Sequence, residues 1–328
     1  MENERKLNLP EMGFGTFPQK EKLLESVPTA IKYGYRLIDT SDNYQNEEFV
    51  GEALKKIDSE TLDEITVISK FSQPMRTYEL EKCFDESKAK LNNKLNVYLL
   101  HWPFPFLWKE EWKRMENLYL SGKCDAIGVC NFEEKHLKKL FKFCRVKPMF
   151  NQFECHPTFQ QKELINFCKD NGITVIAYSP LARLDKKTFA NETLNSIAQK
   201  YNKTVGQIIL RWHIEHGYKP IPSSSSEKHI AENHGILDFR LEQYDIERID
   251  ALECGNRVRF NPNTRFTFRQ KVKFLLLRII NILKIDKILL DIKSMIKYPQ
   301  ASKQASKQAS KQASKQASKQ ASKQASNK

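Results

Sequence analysis

The sequence lacks several patterns that define common protein classes. No G-x-G-x-x-G turn follows a strand-like segment, which argues against a glycine-rich dinucleotide-binding turn. The seven cysteines form no C-x-x-C pair, so we predict no metal site, and their apolar surroundings favour reduced thiols in a cytoplasmic protein. No segment has the roughly 18 uncharged apolar residues of a membrane-spanning helix, and the first ten residues lack an apolar signal-peptide core. A cytoplasmic location is therefore predicted.

The basic charge of the chain is concentrated at its C-terminal end. The formal net charge is +14, yet residues 1–264 contain 38 basic and 38 acidic side chains. Residues 265–300 contain nine basic and two acidic side chains, and residues 301–328 add seven lysines and no acid. Because the excess belongs to an appendage and the body of the chain is neutral, we predict no specific nucleic-acid binding.

Strand-like segments alternate with helix-like segments along the first 260 residues. Eight apolar runs have the composition of buried parallel strands; they cover residues 12–16, 36–40, 65–71, 96–102, 126–132, 148–154, 173–179 and 220–223. Between them, apolar residues recur every three or four positions, as at 22–33, 47–57, 78–91, 133–143, 160–171 and 205–216. Eight such repeats predict an α/β fold, a (β/α)8 TIM barrel over residues 1–260. An open doubly wound sheet is the competing fold.

Two further segments follow the predicted barrel. Between residues 268 and 296, bulky aliphatic side chains alternate with mostly basic ones, which predicts a basic amphipathic helical extension within 261–300. Its apolar face suits either peripheral contact with a membrane or packing on the barrel or on a partner protein. Residues 301–328 are six ASKQ repeats followed by ASNK, a low-complexity composition that predicts a disordered tail.

Four polar residues lie where apolar runs end. Asp39 and Tyr44 come at or after the end of the second run, Lys70 near the end of the third and His101 near the end of the fourth. Because the carboxyl ends of parallel strands meet at one rim of a barrel, we expect these side chains to converge.

This set of residue types favours proton donation to a substrate oxygen. A tyrosine hydroxyl ionises near pH 10, so an adjacent ammonium such as Lys70 would help Tyr44 to act as a donor. Asp39 would hold Lys70 in its charged form, and His101 would orient the oxygen. Each residue also has a purely structural interpretation: Asp39 as a turn cap, Tyr44 as a half-exposed aromatic, Lys70 as a solvated strand end and His101 as a core histidine.

Seven motifs give the chain a family resemblance. In order, GYRLIDTSDNYQNEEFVGEAL, ISK, LLHWP, GVCNF, NQFECHP, AYSPLA and IPSSSSEKHIAEN resemble the aldo-keto reductase family, and the resemblance covers residues 7–259. It implies a (β/α)8 barrel that binds a nicotinamide cofactor without a Rossmann domain. It also implies that Tyr44 is the general acid, that Lys70 and Asp39 tune it, and that His101 orients the carbonyl.

The resemblance further implies which residues contact cofactor and substrate. Asn131 and Gln152 would bind the carboxamide, and Tyr178 would stack on the nicotinamide ring. The other implied contacts are Thr16 and Asp39 with the ribose, Ser179 and Leu181 with the pyrophosphate, Ser223, Ser224, His229, Glu232 and Asn233 with the adenosine end, and Phe17, Trp102 and His101 with the substrate.

Three positions depart from the family's pattern. Ser223 and His229 stand where the family usually has Lys and Arg, the cations that hold the 2′-phosphate of NADPH, and Cys130 replaces a Ser. Losing charge-assisted contacts weakens the discrimination between NADPH and NADH, although Lys228 is a nearby cation. The expected cofactor is NADPH, with NADH as the alternative.

The prediction is an NAD(P)H-dependent oxidoreductase that reduces a small aldehyde or ketone to an alcohol, with Tyr44 as general acid. The alternative is a regulatory protein that retains the barrel and the cofactor, turns over little substrate, and engages a membrane or a partner through residues 268–296. Turnover distinguishes the two.

Overall fold

Eight parallel strands in chain order form the centre of the molecule. The computed structural model describes residues 7–282, and residues 1–6 and 283–328 lie outside the described part. The strands are β1 (Phe14–Gly15), β2 (Leu37–Asp39), β3 (Thr66–Phe71), β4 (Val97–Leu100), β5 (Ala126–Cys130), β6 (Phe150–Glu154), β7 (Thr174–Tyr178) and β8 (Lys219–Pro220). Backbone hydrogen bonds from Gly13 N to Pro220 O and from Gly15 N to Pro222 O, both 2.9 Å, join the first strand region to the last. The sheet is closed, so the predicted barrel is confirmed.

Helices connect the strands and cover the outside of the barrel, and further helices follow the last strand. Within residues 7–282 they are α1 (Leu23–Lys32), α2 (Glu47–Leu54), α3 (Ser59–Glu64), α4 (Leu80–Lys90), α5 (Trp108–Leu120), α6 (Glu134–Leu140), α7 (Lys162–Asp170), α8 (Lys186–Phe189), α9 (Glu192–Tyr201), α10 (Val205–Glu215), α11 (Glu227–His234), α12 (Gln243–Asp250) and α13 (Phe268–Ile282). In the described part of the chain, no helix is both long enough and apolar enough to cross a membrane.

The last predicted strand is displaced. The sequence predicted a strand at 220–223, whereas β8 covers Lys219–Pro220. Two prolines, Pro220 and Pro222, lack the backbone N–H that a strand ladder needs, so regular pairing ends early. Each of the other seven runs contains an observed strand, shorter than the run at one or both ends.

Two apolar layers hold the strands. One fills the barrel interior and consists of Leu9, Leu37, Ile68, Val97, Leu99, Ala126, Cys130, Phe150, Ile176 and Ile221. The larger layer lies between the sheet and the helices. All seven cysteines are free; Cys144 is half-buried, Cys254 is exposed and the others are buried. Cys130, at the position where the family has Ser, is therefore part of the interior core.

The chain divides into two compact units within α13, between Leu275 and Leu276. In the first unit, the ring of Phe274 lies 5.7 Å from that of Phe104 and 5.6 Å from that of Phe266, and all three side chains are buried. In the second unit, Asn281 Nδ2 donates to a main-chain oxygen one turn earlier, at 2.8 Å. The predicted extension thus begins as a helix at 268, while its part from 283 onward and the ASKQ repeats lie outside the described residues.

Candidate active site

The four residues expected to converge lie together at the C-terminal mouth of the barrel. Asp39 ends β2, Lys70 is the penultimate residue of β3, and His101 directly follows β4. Tyr44 ends a short 3-10 turn, Asp42–Tyr44, in which the Asn43 amide donates to the Ser41 hydroxyl. Asp39 pairs with Ile68 of the adjacent parallel strand, and Lys70 lies two residues further along β3, on the same face of the strand as Ile68.

Lys70 is the centre of this cluster. Its side chain is fully buried, and its ammonium donates to Asp39 Oδ1 at 2.6 Å, to the Thr40 carbonyl at 2.7 Å and to Tyr44 Oη at 3.3 Å. The three donors of the ammonium are thus matched by three acceptors, which is what a charge removed from water requires. Lys70 therefore connects the Asp39 carboxylate to the Tyr44 hydroxyl.

The surroundings set the protonation states of this pair. Burial on its own lowers the pKa of Lys70, but the Asp39 charge offsets that effect and the net pKa is raised above its ordinary value. Burial raises the pKa of Tyr44 most, the Lys70 ammonium lowers it and Asp39 raises it, with a result of about 12. The ammonium thus acts in the direction expected from the sequence, but burial outweighs it, so Tyr44 carries its proton at neutral pH.

Two serine hydroxyls meet one ring nitrogen of His101. Ser72 Oγ forms a short contact with His101 Nδ1, and Ser41 Oγ lies 3.1 Å from the same atom. Burial lowers the pKa of His101 most, and the charges of Lys70, Arg265 and Arg259 lower it further, well below its ordinary value. The ring is therefore neutral at neutral pH, and acceptance by Nδ1 from either hydroxyl leaves the proton on Nε2.

Ser41 and Ser72 were not singled out from the sequence. Their positions in the sequence could have indicated them, because each directly follows the end of a predicted strand. Their effect depends on which atom of His101 they contact, and that is set by loop conformation.

The three residues assigned to the nicotinamide end are bonded to the same cluster. Asn131, which directly follows β5 in a left-handed conformation (φ 61°), donates from Nδ2 to the His101 carbonyl at 3.0 Å. The Tyr178 hydroxyl donates to Asn131 Oδ1 at 2.8 Å. Gln152 Nε2 donates to Asp39 Oδ2 at 2.7 Å, so this carboxylate bridges Gln152 and Lys70.

These groups fit a nicotinamide. A carboxamide presents one acceptor and two donors, and the amide side chains of Asn131 and Gln152 offer the complementary atoms beside the aromatic ring of Tyr178.

Thr16, which follows β1, is fully buried, and its amide donates to the Asp39 carbonyl at 3.0 Å. Ser179 begins a turn after β7 in which it and residues 182–184 have positive φ, and Leu181 lies within that turn. Strained non-glycine backbone of this kind is common where a loop clamps a ligand.

The residues assigned to the adenosine end lie after β8 and on α11. Gln19 Nε2 donates to both the exposed Ser223 hydroxyl and the Ser224 carbonyl, each at 3.1 Å. Glu232 accepts from His229 Nδ1 at 2.9 Å and lies 3.7 Å from the Lys228 ammonium. Asn233 is the next residue of α11.

Two aromatic side chains flank the cluster. The ring of Phe17 lies 5.0 Å from that of Tyr44 and is 42% exposed. The Trp102 ring stacks 6.0 Å from His101 and is mostly buried. Their assignment to a substrate wall stays a prediction.

Comparison with known proteins gives a consistent result. A family model described as "Aldo/keto reductase family" matches residues 11–253. The chain is 42% identical over 261 residues to glyoxal reductase of Bacillus subtilis (strain 168), covering 78% of this chain and 94% of that protein. It is 35% identical over 258 residues to methylglyoxal reductase of Escherichia coli (strain K12), covering 78% and 94%. The crystal structure of an aldo-keto reductase from a Medee basin deep-sea metagenome library matches with a TM-score of 0.76 and 34% identity, covering 80% of this chain and 97% of that one.

Proposed function

The chain belongs to the aldo/keto reductase family, a family of oxidoreductases, and on that premise we propose that it reduces small aldehydes or ketones to alcohols with NADPH or NADH. The observation that carries this proposal is the bonded cluster of Asp39, Lys70 and Tyr44 beside a neutral His101. Two similar proteins bear the names glyoxal reductase and methylglyoxal reductase, which favours small aldehydes as the first substrates to test.

In the proposed reaction, Tyr44 is the proton donor. A bound reduced nicotinamide supplies the hydride that the carbonyl carbon takes up. As negative charge develops on the carbonyl oxygen, the Tyr44 hydroxyl protonates it, and the resulting phenolate is stabilised by the Lys70 ammonium 3.3 Å away. Asp39 keeps Lys70 charged and in place, and the phenolate then recovers a proton from solvent.

His101 orients the substrate in this proposal. With Nδ1 accepting from the Ser72 or Ser41 hydroxyl, the Nε2 proton points toward the site and donates to the same carbonyl oxygen. Because its pKa is held well below the ordinary value, the ring does not compete with Tyr44 as the acid at neutral pH. Asn131 connects the His101 main chain to Tyr178 by hydrogen bonds, so the orienting residue is linked to two of the residues assigned to the nicotinamide.

Replacing Tyr44 by Phe tests the assignment. The Tyr44→Phe variant removes the proton donor and leaves the ring, so we expect carbonyl turnover to fall by at least about 100-fold, the scale of general acid catalysis. Cofactor affinity, measured by quenching of intrinsic fluorescence, should stay within a few-fold of the wild-type value. Tyr201→Phe, which removes a hydroxyl bonded to Asp245 on the outer helices, is the matched control. Retained turnover in Tyr44→Phe would exclude Tyr44 as the acid.

We assign NADPH on family grounds with weak discrimination against NADH, because neutral Ser223 replaces a cation and Glu232 engages both His229 and Lys228. Contact of residues 268–296 with a membrane or a partner, and a cytoplasmic location, stay predictions.

A further inference from the structure

We propose that the carbonyl substrate carries an anionic group, a carboxylate or a phosphate, which Arg259 and Arg265 bind at the mouth of the barrel. This inference rests on the proposed reductase function and specifies its substrate class. It concerns the segment after α12, which the sequence analysis did not assign to the site.

A buried carboxylate fixes the path of this segment. Glu154 is fully buried at the C-terminal end of β6. Its two oxygens accept from the main-chain N–H groups of Val258 at 2.6 Å and Arg259 at 3.1 Å. A carboxylate that is taken out of water is satisfied here by backbone donors, and so it anchors the chain at the barrel rim. The Arg259 side chain therefore starts from a defined point beside the site.

Each guanidinium lies one aromatic ring away from a residue of the proposed catalytic cluster. The Arg259 guanidinium carbon is 5.6 Å from the Phe17 ring, and Phe17 is the neighbour of Tyr44. The Arg265 guanidinium carbon is 4.0 Å from the Trp102 ring, and Trp102 stacks on His101. Both guanidiniums also lie against Phe260, at 6.0 and 5.0 Å, which places them on the same side of the mouth.

The charges of both arginines reach the site. After burial and Lys70, they are the groups that lower the pKa of His101, so their fields act on the position where the carbonyl oxygen would be bound. Arg259 belongs to residues 1–264, which are neutral overall, whereas Arg265 is the first residue of the basic segment that follows. An anionic substrate would be both attracted and oriented by these two positive charges.

Arg259 is not among the arginines that form an ion pair in the described part of the chain. Ion pairs within the described residues are made by Arg36, Arg76, Arg114, Arg145, Arg211 and Arg248. Among residues 7–282, no carboxylate forms an ion pair with Arg259, which is half-buried over the Phe17 ring. A guanidinium in that setting can form a bidentate contact with a ligand carboxylate or phosphate.

Two pairs of aldehydes that differ in charge test the proposal in the full chain. Benzaldehyde is compared with 4-carboxybenzaldehyde, and glyceraldehyde with glyceraldehyde 3-phosphate. We expect kcat/KM to favour at least one anionic member by about tenfold or more, as for a charge-assisted contact. A preference limited to one pair identifies the anion as carboxylate or phosphate. Arg259→Gln and Arg265→Gln should each remove most of that preference, measured as the ratio of kcat/KM between the anionic and the neutral member of a pair.

The matched controls separate charge from folding. Arg145→Gln alters a paired arginine in the loop before β6, on the opposite face of the barrel, and should leave the preference unchanged. Arg259→Lys and Arg265→Lys keep the positive charge and should retain part of the preference for the anionic aldehyde.

A binding measurement gives the test a readout that does not depend on turnover. Calorimetric titration with benzoate and with benzyl alcohol should show tighter binding of benzoate to the wild type and loss of that difference in both Gln variants. If benzoate binding depends on the arginines while no aldehyde is reduced, the reductase proposal fails and the anion site stands. Equal binding of the two ligands without any charge preference in turnover overturns the anion site. Loss of NADPH affinity in both Gln variants also overturns it, because the arginines then serve the cofactor.

Discussion

The proposed cofactor preference depends on single side chains at the adenosine end of the proposed site. A 2′-phosphate is held best by cations with free donors. Here Ser223 is neutral and hydrogen-bonded to Gln19, while two basic side chains of α11, Lys228 and His229, both contact Glu232. Glu232 therefore opposes a second negative charge at this place.

Restoring the two cations should change cofactor preference. In a Ser223→Lys, His229→Arg double variant, we expect the ratio of NADPH to NADH affinity to rise at least about tenfold, equivalent to about 1.4 kcal/mol. Paired fluorescence titrations with the two cofactors measure the ratio. Ser225→Lys adds one of these two positive charges, two residues from Ser223, and is the control for a general electrostatic effect. An unchanged ratio in the double variant would show that these positions do not contact the phosphate.

The positions of the four clustered residues could be anticipated, whereas their finer contacts could not. Asp39, Lys70 and His101 lie at the ends of consecutive apolar runs, and parallel strands bring such ends to one rim. The bond between Gln152 and Asp39 joins strands that are distant in sequence, and no periodicity indicates it. Arg259 and Arg265 lie in a segment without regular structure, so only the fold shows what they face.

At the scale of elements, α5 contains an acid with an unusual environment. Glu111 is fully buried and accepts from the Thr77 hydroxyl at 2.8 Å. Among the described residues, its other oxygen, Oε2, has no hydrogen-bond partner. Burial raises the pKa of Glu111 from 4.5 to about 8, so the folded protein holds a proton that the unfolded chain releases at a lower pH. The stability associated with this proton is complete below about pH 4.5 and is lost as the pH rises through about 8.

Replacing Glu111 by Gln should remove this pH dependence. Gln has the shape of the protonated acid and no ionisation. Between pH 6 and pH 9, we expect the free energy of unfolding of the wild type to fall by at least about 1 kcal/mol more than that of Glu111→Gln, as measured by urea unfolding. Glu110→Gln, at a position whose side chain is 38% exposed on the same helix, should follow the wild type. Parallel pH profiles for wild type and Glu111→Gln would contradict the assigned pKa.

The elements themselves differ in how well the sequence predicts them. Near-continuous apolar composition marks a strand covered on both faces, which is why β2 to β7 lie inside the predicted runs. The weak elements are those whose sequence carries a conflicting signal: β8 contains proline, and short helices such as α3 and α8 are too brief for a helical period to stand out.

At the scale of the whole molecule, charge and chemistry are separated along the chain. The barrel residues are neutral overall, and the basic excess begins at 265 and continues through residues outside the described part. Arg265 belongs both to the basic appendage, as its first basic residue, and to the barrel mouth, where its guanidinium lies on the Trp102 ring. The residues that follow the barrel thus contribute directly to the proposed substrate site.

The central claim is that the full chain transfers a hydride from a nicotinamide to a carbonyl carbon. The most direct measurement is product analysis by mass spectrometry after incubation of the full-length protein with benzaldehyde or 4-carboxybenzaldehyde and NADPH or NADH carrying two deuterium atoms at C4. We predict an alcohol that contains one deuterium on its carbinol carbon, formed at a rate that Tyr44→Phe lowers by at least about 100-fold. Cofactor binding without any alcohol, or alcohol without deuterium, would contradict the account.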